Sequence, residues 1–261
     1  MLNMTEKEPF QLDYERYSIA QNLKQLAREL NIKTVLEAPA PGLKALPSIY
    51  SLGFAEAGCE VTLLNPEDEG LKVWKELKFK AKTKTTNDIS KLPFKDGSFD
   101  FVWNFNTLSL YNNYEDILDE FIRVSKKYVC LLCVNGFNVG SPMHRILHTV
   151  KNVKWTHGDK LFLYPYKVKR VMKKHNLKII KTDVMNCPLW PDTVGFRDMK
   201  FHKMEDKINH IKWKSNTVNY MKNNSYPKWI NHMYKFEKMP MFWPVKLLYA
   251  HLFYVVGEKC E

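Results

Sequence analysis

Short apolar runs alternate with stretches of helical spacing along most of the chain, and this alternation is what most restricts the fold. Strands are predicted at residues 34–38, 60–64, 80–86, 99–103, 128–134, 178–184 and 252–256. Helices are predicted at residues 12–30, 43–57, 67–77, 114–125, 142–150 and 165–175. Because strands that alternate with helices form parallel βαβ units, we expect an α/β fold with a doubly wound sheet and helices on both faces.

The interval between the last two predicted strands is too long for an ordinary connection. Residues 187–250 contain 11 Lys and Arg against 5 Asp and Glu, together with 4 tryptophans. An inserted segment is therefore predicted there. The chain divides into an N-terminal helical segment (1–30), an α/β domain (31–186 and 251–261) and an aromatic, basic insertion (187–250).

The formal net charge of +12 predicts attraction to anions. The lysines are scattered and form no arginine-rich arm, so compositional bias explains the charge better than a nucleic-acid interface, and nucleic acid is not expected as a partner. The five cysteines do not predict a disulfide framework. No signal peptide or membrane-spanning run is recognisable, so we expect a soluble, cytoplasmic protein. Membrane-surface docking through FWPVKLLYAHLFYVV is a less favoured alternative, because part of that segment is the last strand.

Three segments lie where open parallel sheets bind ligands, at the carboxyl ends of predicted strands. They are VLEAPAPG (35–42), VTLLNPED (61–68) and DISKLPFKDGSFDFVW (88–103). In order and spacing they resemble class I S-adenosylmethionine-dependent methyltransferases of the small-molecule type. The resemblance implies a Rossmann-like, seven-stranded, mostly parallel sheet with an antiparallel last strand. It also implies S-adenosylmethionine as cofactor, and a helical lid formed by the insertion over the substrate.

The resemblance also implies a set of cofactor-binding residues. Glu37 matches the acidic residue of the first motif, which faces the cofactor's amino group, while Asp88 and Ile89 match an acidic–apolar pair at the adenine. The carboxylate can accept from the adenine amine, and the apolar neighbour covers the ring. Taken alone, Glu37 could be a helix N-terminal charge and Asp88 a turn cap. The full predicted set is Glu37, Ala38, Gly42, Asn65, Asp88, Ile89 and Asn104.

The chain departs from the family pattern at the same loops. Pro39 and Pro41 occupy the first two glycine positions of the usual GxGxG motif, and proline removes a backbone donor that a ligand could use. Asn65 stands where an acid commonly binds the ribose, and an amide lacks the charge-assisted strength of a carboxylate. Asn104 and Asn106 do not form the NPPY motif of nucleic-acid amino-methyltransferases.

A pair of cysteines and a pair of histidines are weaker candidates for a functional site. Cys130 and Cys133 are three apart in a strand and should face opposite sides of the sheet, as core residues. His144 and His148 have a spacing that could hold a metal, but no HExxH glutamate accompanies them, so no metal is expected. His144 is a conceivable general base, although a helix-face histidine explains it better, and no catalytic residue is assigned.

These observations predict a methyltransferase that transfers the sulfonium methyl of S-adenosylmethionine directly to a small-molecule acceptor. The aromatic, basic insertion favours an aromatic or anionic acceptor, unless its aromatic residues only form a small core of their own. The alternative is a non-catalytic methyltransferase-like binding module, in which Pro39, Pro41 and Asn65 mark a degenerate cofactor site.

Overall fold

The computed structural model describes residues 4–8, 10–41, 46–190 and 211–260. The strands are β1 (Met4–Lys7), β2 (Thr34–Glu37), β3 (Glu60–Leu64), β4 (Ala81–Lys84), β5 (Phe99–Phe105), β6 (Ser125–Val134), β7 (Leu177–Met185), β8 (Ile211–Lys214) and β9 (Leu252–Lys259). The α-helices are α1 (Phe10–Glu29), α2 (Leu52–Glu56), α3 (Asp68–Glu76), α4 (Tyr114–Val124), α5 (Ser141–Val150), α6 (Pro165–Lys174), α7 (Asn216–Lys222), α8 (Lys228–Lys238) and α9 (Trp243–Tyr249). Short 3-10 helices occur at Leu108–Leu110 and Lys160–Leu163.

Seven strands form one sheet in the order β4-β3-β2-β5-β6-β9-β7. β2 pairs in parallel with β3 and β5, with Val35 opposite Val61 on one side and Phe101 on the other. β9 runs antiparallel between β6 and β7. All seven predicted strands are present, and the predicted Rossmann-like, mostly parallel sheet is confirmed. The parallel pair of β1 and β8, which forms a separate two-stranded sheet, was not predicted.

The sheet separates two hydrophobic clusters. On β5, Phe101 and Trp103 belong to the cluster on the α1 side, whereas Val102 faces the cluster that includes α4. Cys130 and Cys133 fall into different clusters, and burial raises the pKa of both thiols. The prediction that this cysteine pair is part of the core is confirmed.

The predicted helix at 43–57 is wrong over residues 46–51, where the described backbone forms turns. Pro47 has no N–H to donate, and Ser48 has a left-handed backbone with φ +59°. The Ser48 N–H donates to the carbonyl of Ala40. This tertiary hydrogen bond sets the backbone conformation of the segment, in spite of the helical spacing of its apolar residues. The helix is limited to α2.

The N-terminal helix and the insertion pack against each other. Glu237 of α8 is buried and accepts hydrogen bonds from Tyr14 and Ser18 of α1. The insertion begins and ends at one edge of the sheet, because Met185 at the end of β7 pairs with Leu252 at the start of β9. None of the described helices is long and apolar enough to cross a bilayer.

Candidate functional site

The carboxyl ends of β2, β3 and β5 lie side by side, and the segment after β2 is hydrogen-bonded to both neighbours. The N–H of Ala38 donates to the carbonyl of Trp103 (3.0 Å), and that of Ala40 donates to the carbonyl of Leu64 (2.8 Å). Ala38 and Ala40 are fully buried. The loops that carry the predicted motifs therefore meet at one edge of the sheet, as expected for a parallel sheet.

Glu37 ends β2 as a carboxyl group with 1% of its surface exposed. Its Oε2 has no hydrogen-bond partner among the described residues, while the hydroxyl and the N–H of Ser51 donate to the carboxyl group. Burial outweighs these hydrogen bonds and raises the pKa of Glu37 to about 8. A buried, unsatisfied carboxyl oxygen is costly unless a ligand supplies a donor or a positive charge.

Ser51 is a site residue that the sequence pattern did not indicate. It precedes α2, and its Oγ accepts a hydrogen bond from Trp103 Nε1 at 2.9 Å. This contact orients the hydroxyl hydrogen toward Glu37. Since Ser51 lay inside a stretch predicted to be helical, no local signal distinguished it.

Asn104 joins the ends of β2 and β5. Its Nδ2 donates to the carbonyl of Ala38 (2.7 Å) and to Thr107 Oγ1 (2.6 Å), and its Oδ1 accepts from the N–H groups of Thr107 and Leu108. The residue is buried, with 1% exposure. This network fixes the loop after β5, and a direct contact between Asn104 and the cofactor stays a prediction.

Asn65, directly after β3, forms a pair of hydrogen bonds with Thr86 after β4. Its Nδ2 donates to the Thr86 carbonyl (3.0 Å), and its Oδ1 accepts from the Thr86 N–H (2.8 Å). An aspartate could not donate to that carbonyl, which gives a structural reason for the amide in place of the family's acid. Its left-handed backbone, φ +53°, also suits asparagine. Contact with a ribose would use the remaining lone pair of Oδ1.

The loop after β4 places Asp88 and Ile89 in different environments. Asp88 is exposed, and its Oδ1 accepts from the N–H and hydroxyl of Ser90 at 2.9 and 2.6 Å. These hydrogen bonds lower the pKa of Asp88. Ile89 is buried in the same cluster as Ala38 and Leu64, beside the ends of β2 and β3. Asp88 therefore caps a turn, and the adenine contact of both residues stays a prediction. Gly42 lies outside the described residues.

The insertion returns to the sheet at this same edge. Asn135, directly after β6, donates from Nδ2 to the carbonyls of Leu247 and Ala250 at 2.6 and 2.8 Å. Asn138 donates to the carbonyls of Tyr249 and Ala250. These contacts hold the end of α9 against the loop after β6, on the side where the strands have their carboxyl ends.

Comparison with known proteins agrees with this geometry. Residues 46–133 match a protein-family model described as a methyltransferase domain. No curated protein sequence matches the chain. The chain is similar in structure to a Thermotoga maritima methyltransferase described as a possible histamine N-methyltransferase (TM-score 0.51, 14% identity, 95% of this chain and 90% of that chain covered).

Two further solved structures share the fold. Magnesium protoporphyrin IX methyltransferase from Synechocystis, with bound S-adenosylhomocysteine, has a TM-score of 0.51 and 13% identity over 71% of this chain and 85% of that one. The [4+2]-cyclase SpnF has a TM-score of 0.53 and 11% identity over 92% of this chain and 80% of that one. At 11–14% sequence identity, the similarity to these three proteins shows a shared fold only. Together, the sheet order and these structures show that the chain has the fold of class I S-adenosylmethionine-dependent methyltransferases, and residues 46–133 match the methyltransferase domain model.

Proposed function

We propose that this protein binds S-adenosylmethionine at the ends of β2, β3 and β5 and methylates a small-molecule acceptor. The observation that carries the proposal is the buried carboxyl group of Glu37, whose Oε2 lacks a partner among the described residues. The cofactor's amino group would supply the missing donor and positive charge. Ile89 would cover the adenine, Asp88 would accept from its exocyclic amine, and Asn65 would accept from a ribose hydroxyl.

The bound cofactor would supply an electrophilic methyl group on a sulfonium. That methyl would pass directly to a lone pair of the acceptor, with S-adenosylhomocysteine as the leaving group and a proton lost from the acceptor. The protein's contribution is positioning and exclusion of water. Asn104 and Ser51 contribute by fixing the loop after β5 and the carboxyl group of Glu37.

The surroundings of the site favour an acceptor with an apolar or aromatic part. Exposed apolar side chains come from two neighbouring segments beyond the end of β6: the Val139 N–H donates to the Leu248 carbonyl at 3.1 Å, Phe137 lies two residues before Val139, and Tyr249 follows Leu248. We call Phe137, Val139, Leu248 and Tyr249 the edge patch. The excess of basic residues in the insertion would suit an anionic group on the same acceptor.

The contacts of the insertion's aromatic residues support the alternative that these residues pack together and do not contact the acceptor. Trp190 and Trp229 have ring centroids 6.1 Å apart, and both pack against Phe10 of α1 at 5.5 and 6.0 Å. These rings form a partly exposed aromatic cluster between the insertion and α1, so we assign acceptor contact to the edge patch. Every cysteine in the described range is free, which suits the cytoplasmic location that we also propose.

Calorimetry with S-adenosylmethionine and S-adenosylhomocysteine tests the proposal. Both should bind, and Glu37→Gln should weaken binding at least about tenfold, since loss of one charge-assisted hydrogen bond costs about 1.5–3 kcal/mol. Glu60→Gln, an exposed glutamate at the opposite end of β3, is the matched control and should bind as the wild type does.

A non-catalytic binding module is the second candidate function. It is favoured by Pro39 and Pro41, because proline lacks the backbone N–H that glycine offers at these two positions of the usual loop. It is also favoured by the two hydrogen bonds that Asn65 forms with Thr86. Absence of binding to either ligand at millimolar concentration would establish this alternative over the enzyme. If the ligands bind, release of S-adenosylhomocysteine in the presence of aromatic and anionic small molecules identifies the acceptor class.

A further inference from the structure

Three histidines converge outside the proposed cofactor site. His144 and His148 are one turn apart on the same face of α5, and His157 comes from the following loop. The Nε2 atom of His148 lies 3.1 Å from Nε2 of His144 and 3.1 Å from Nε2 of His157. All three ligand nitrogens lie within 4.8 Å of one another. The sequence pattern showed only the first two, since a loop residue has no periodic relation to a helix.

One contact of His148 indicates which ring nitrogen carries a hydrogen. Its Nδ1 lies 3.1 Å from the carbonyl oxygen of Val153, and a carbonyl can only accept, so Nδ1 carries a hydrogen. In the neutral ring, Nε2 then presents a lone pair toward the other two histidines. Metal-binding histidines are oriented in this way, with the second ring nitrogen donating to a backbone carbonyl.

Hydrogen bonds among these three histidines do not account for both contacts of His148 Nε2. Nε2 of His148 has one lone pair in the ring plane, yet two ring nitrogens face it at the same distance of 3.1 Å. A cation among the three could bind to all of them. Nitrogens bound tetrahedrally to one zinc ion at about 2.0–2.1 Å lie about 3.3 Å apart, close to both observed distances. The side chains of His144 and His157 are partly exposed.

The loop that carries His157 is fixed by its own contacts. The Trp155 ring lies 4.8–5.5 Å from the three histidine rings, and its Nε1 donates to the carbonyl of Gly158. Gly158 has φ +76°, and a Cβ there would lie 2.5 Å from the carbonyl oxygen of Ser109. The N–H of Asp159 donates to that same carbonyl at 2.7 Å. The cluster therefore rests on the 3-10 helix after β5, beside the proposed cofactor site.

We propose that His144, His148 and His157 bind one divalent transition-metal ion of the zinc type. Imidazole donors suit zinc, cobalt, nickel and copper rather than magnesium or calcium. In the described part of the chain the cluster consists of histidines alone. The site is separate from the cofactor-binding residues, so its test does not depend on methyl transfer.

Zinc binding by the full-length, tag-free, EDTA-treated protein tests this inference. Calorimetry should show one Zn²⁺ ion per chain with micromolar or tighter affinity, and Co²⁺ should give the visible absorption of a tetrahedral site. His144→Gln, His148→Gln and His157→Gln should each weaken Zn²⁺ binding at least about tenfold. His232→Gln, which changes an exposed histidine of α8, is the matched control and should bind as the wild type does.

Because His148 is buried, its variant could lose its fold, so His157→Gln is the decisive variant. Its circular dichroism should match that of the wild type, and Zn²⁺ should raise the Tm of the wild type but not of the variant. The inference is overturned if the wild type shows no saturable Zn²⁺ binding. Wild-type affinity in His157→Gln would overturn it equally.

Discussion

At the scale of single residues, Glu37 combines burial with incomplete hydrogen bonding. Its pKa is about 8 in the folded protein against an ordinary 4.5, so the folded state retains a proton that the unfolded state has already lost between these pH values. The free energy of unfolding should therefore fall as the pH rises through this window, at up to about 1.4 kcal/mol per pH unit. Glu37→Gln should remove this dependence, as measured by urea unfolding between about pH 5 and 8.

Glu60→Gln provides the comparison, because Glu60 is exposed and its side chain contacts Lys82 at the surface. The stability of this control should depend on pH as the wild type's does. If the free energy of unfolding changed with pH equally in the wild type and in Glu37→Gln, the assigned protonation of Glu37 would be contradicted.

A second residue-scale prediction concerns the pair formed by Asn65 and Thr86. Asn65→Asp replaces the Nδ2 donor with a carboxylate oxygen that faces the Thr86 carbonyl, so two acceptors meet. We expect a loss of about 1–3 kcal/mol in the free energy of unfolding. Asn224→Asp is the control, since Asn224 shares the left-handed backbone, with φ +47°, but is exposed. Equal stability of the two variants in urea would refute the structural role of Asn65.

At the scale of elements, a buried carboxyl group of α8 binds α8 to α1, beside more exposed contacts such as that of Tyr17 with Asn231. Glu237, 1% exposed, accepts from Tyr14 (2.7 Å), from Asn22 (2.9 Å) and from the N–H of Cys187 (3.1 Å). Glu237→Gln places an amide group among these donors and should cost about 2–4 kcal/mol in the free energy of unfolding.

Hydrogen exchange should localise that loss to α1 and α8. Glu76→Gln changes an exposed glutamate whose contact is a surface ion pair with Lys222, so it should alter stability by less than about 1 kcal/mol. Unchanged exchange in α8 of Glu237→Gln would show that other contacts hold the insertion in place.

The elements also show which features a sequence can predict. The seven strands were predictable because their sequence patterns are local, and the antiparallel last strand followed from the family resemblance. The turns at 46–51 were not predictable, because Ser48 is held by Ala40 and by Trp74, whose Nε1 donates to the Ser48 carbonyl. The same holds for the site: Glu37 stands out in its motif, whereas its partner Ser51 is found only through tertiary contacts.

At the scale of the whole molecule, α1 connects the sheet to the insertion. One part of α1 contributes Ile19 and Leu23 to the core cluster that contains Phe101 of β5. Other α1 residues bind the insertion, through Asp13 with Thr217 (2.9 Å) and through the contacts of Glu237. Loss of the insertion would leave buried polar groups of α1 without partners, which is costly. The two parts should therefore unfold together.

This coupling predicts one cooperative transition for the intact chain. Far-UV circular dichroism, which follows the whole backbone, and tryptophan fluorescence, to which Trp229 and Trp243 of the insertion contribute, should give coincident urea curves. Glu237→Gln should weaken the connection and separate the two curves, with fluorescence changing at the lower urea concentration. Separate transitions in the wild type would mean that the insertion folds independently of α1 and the sheet.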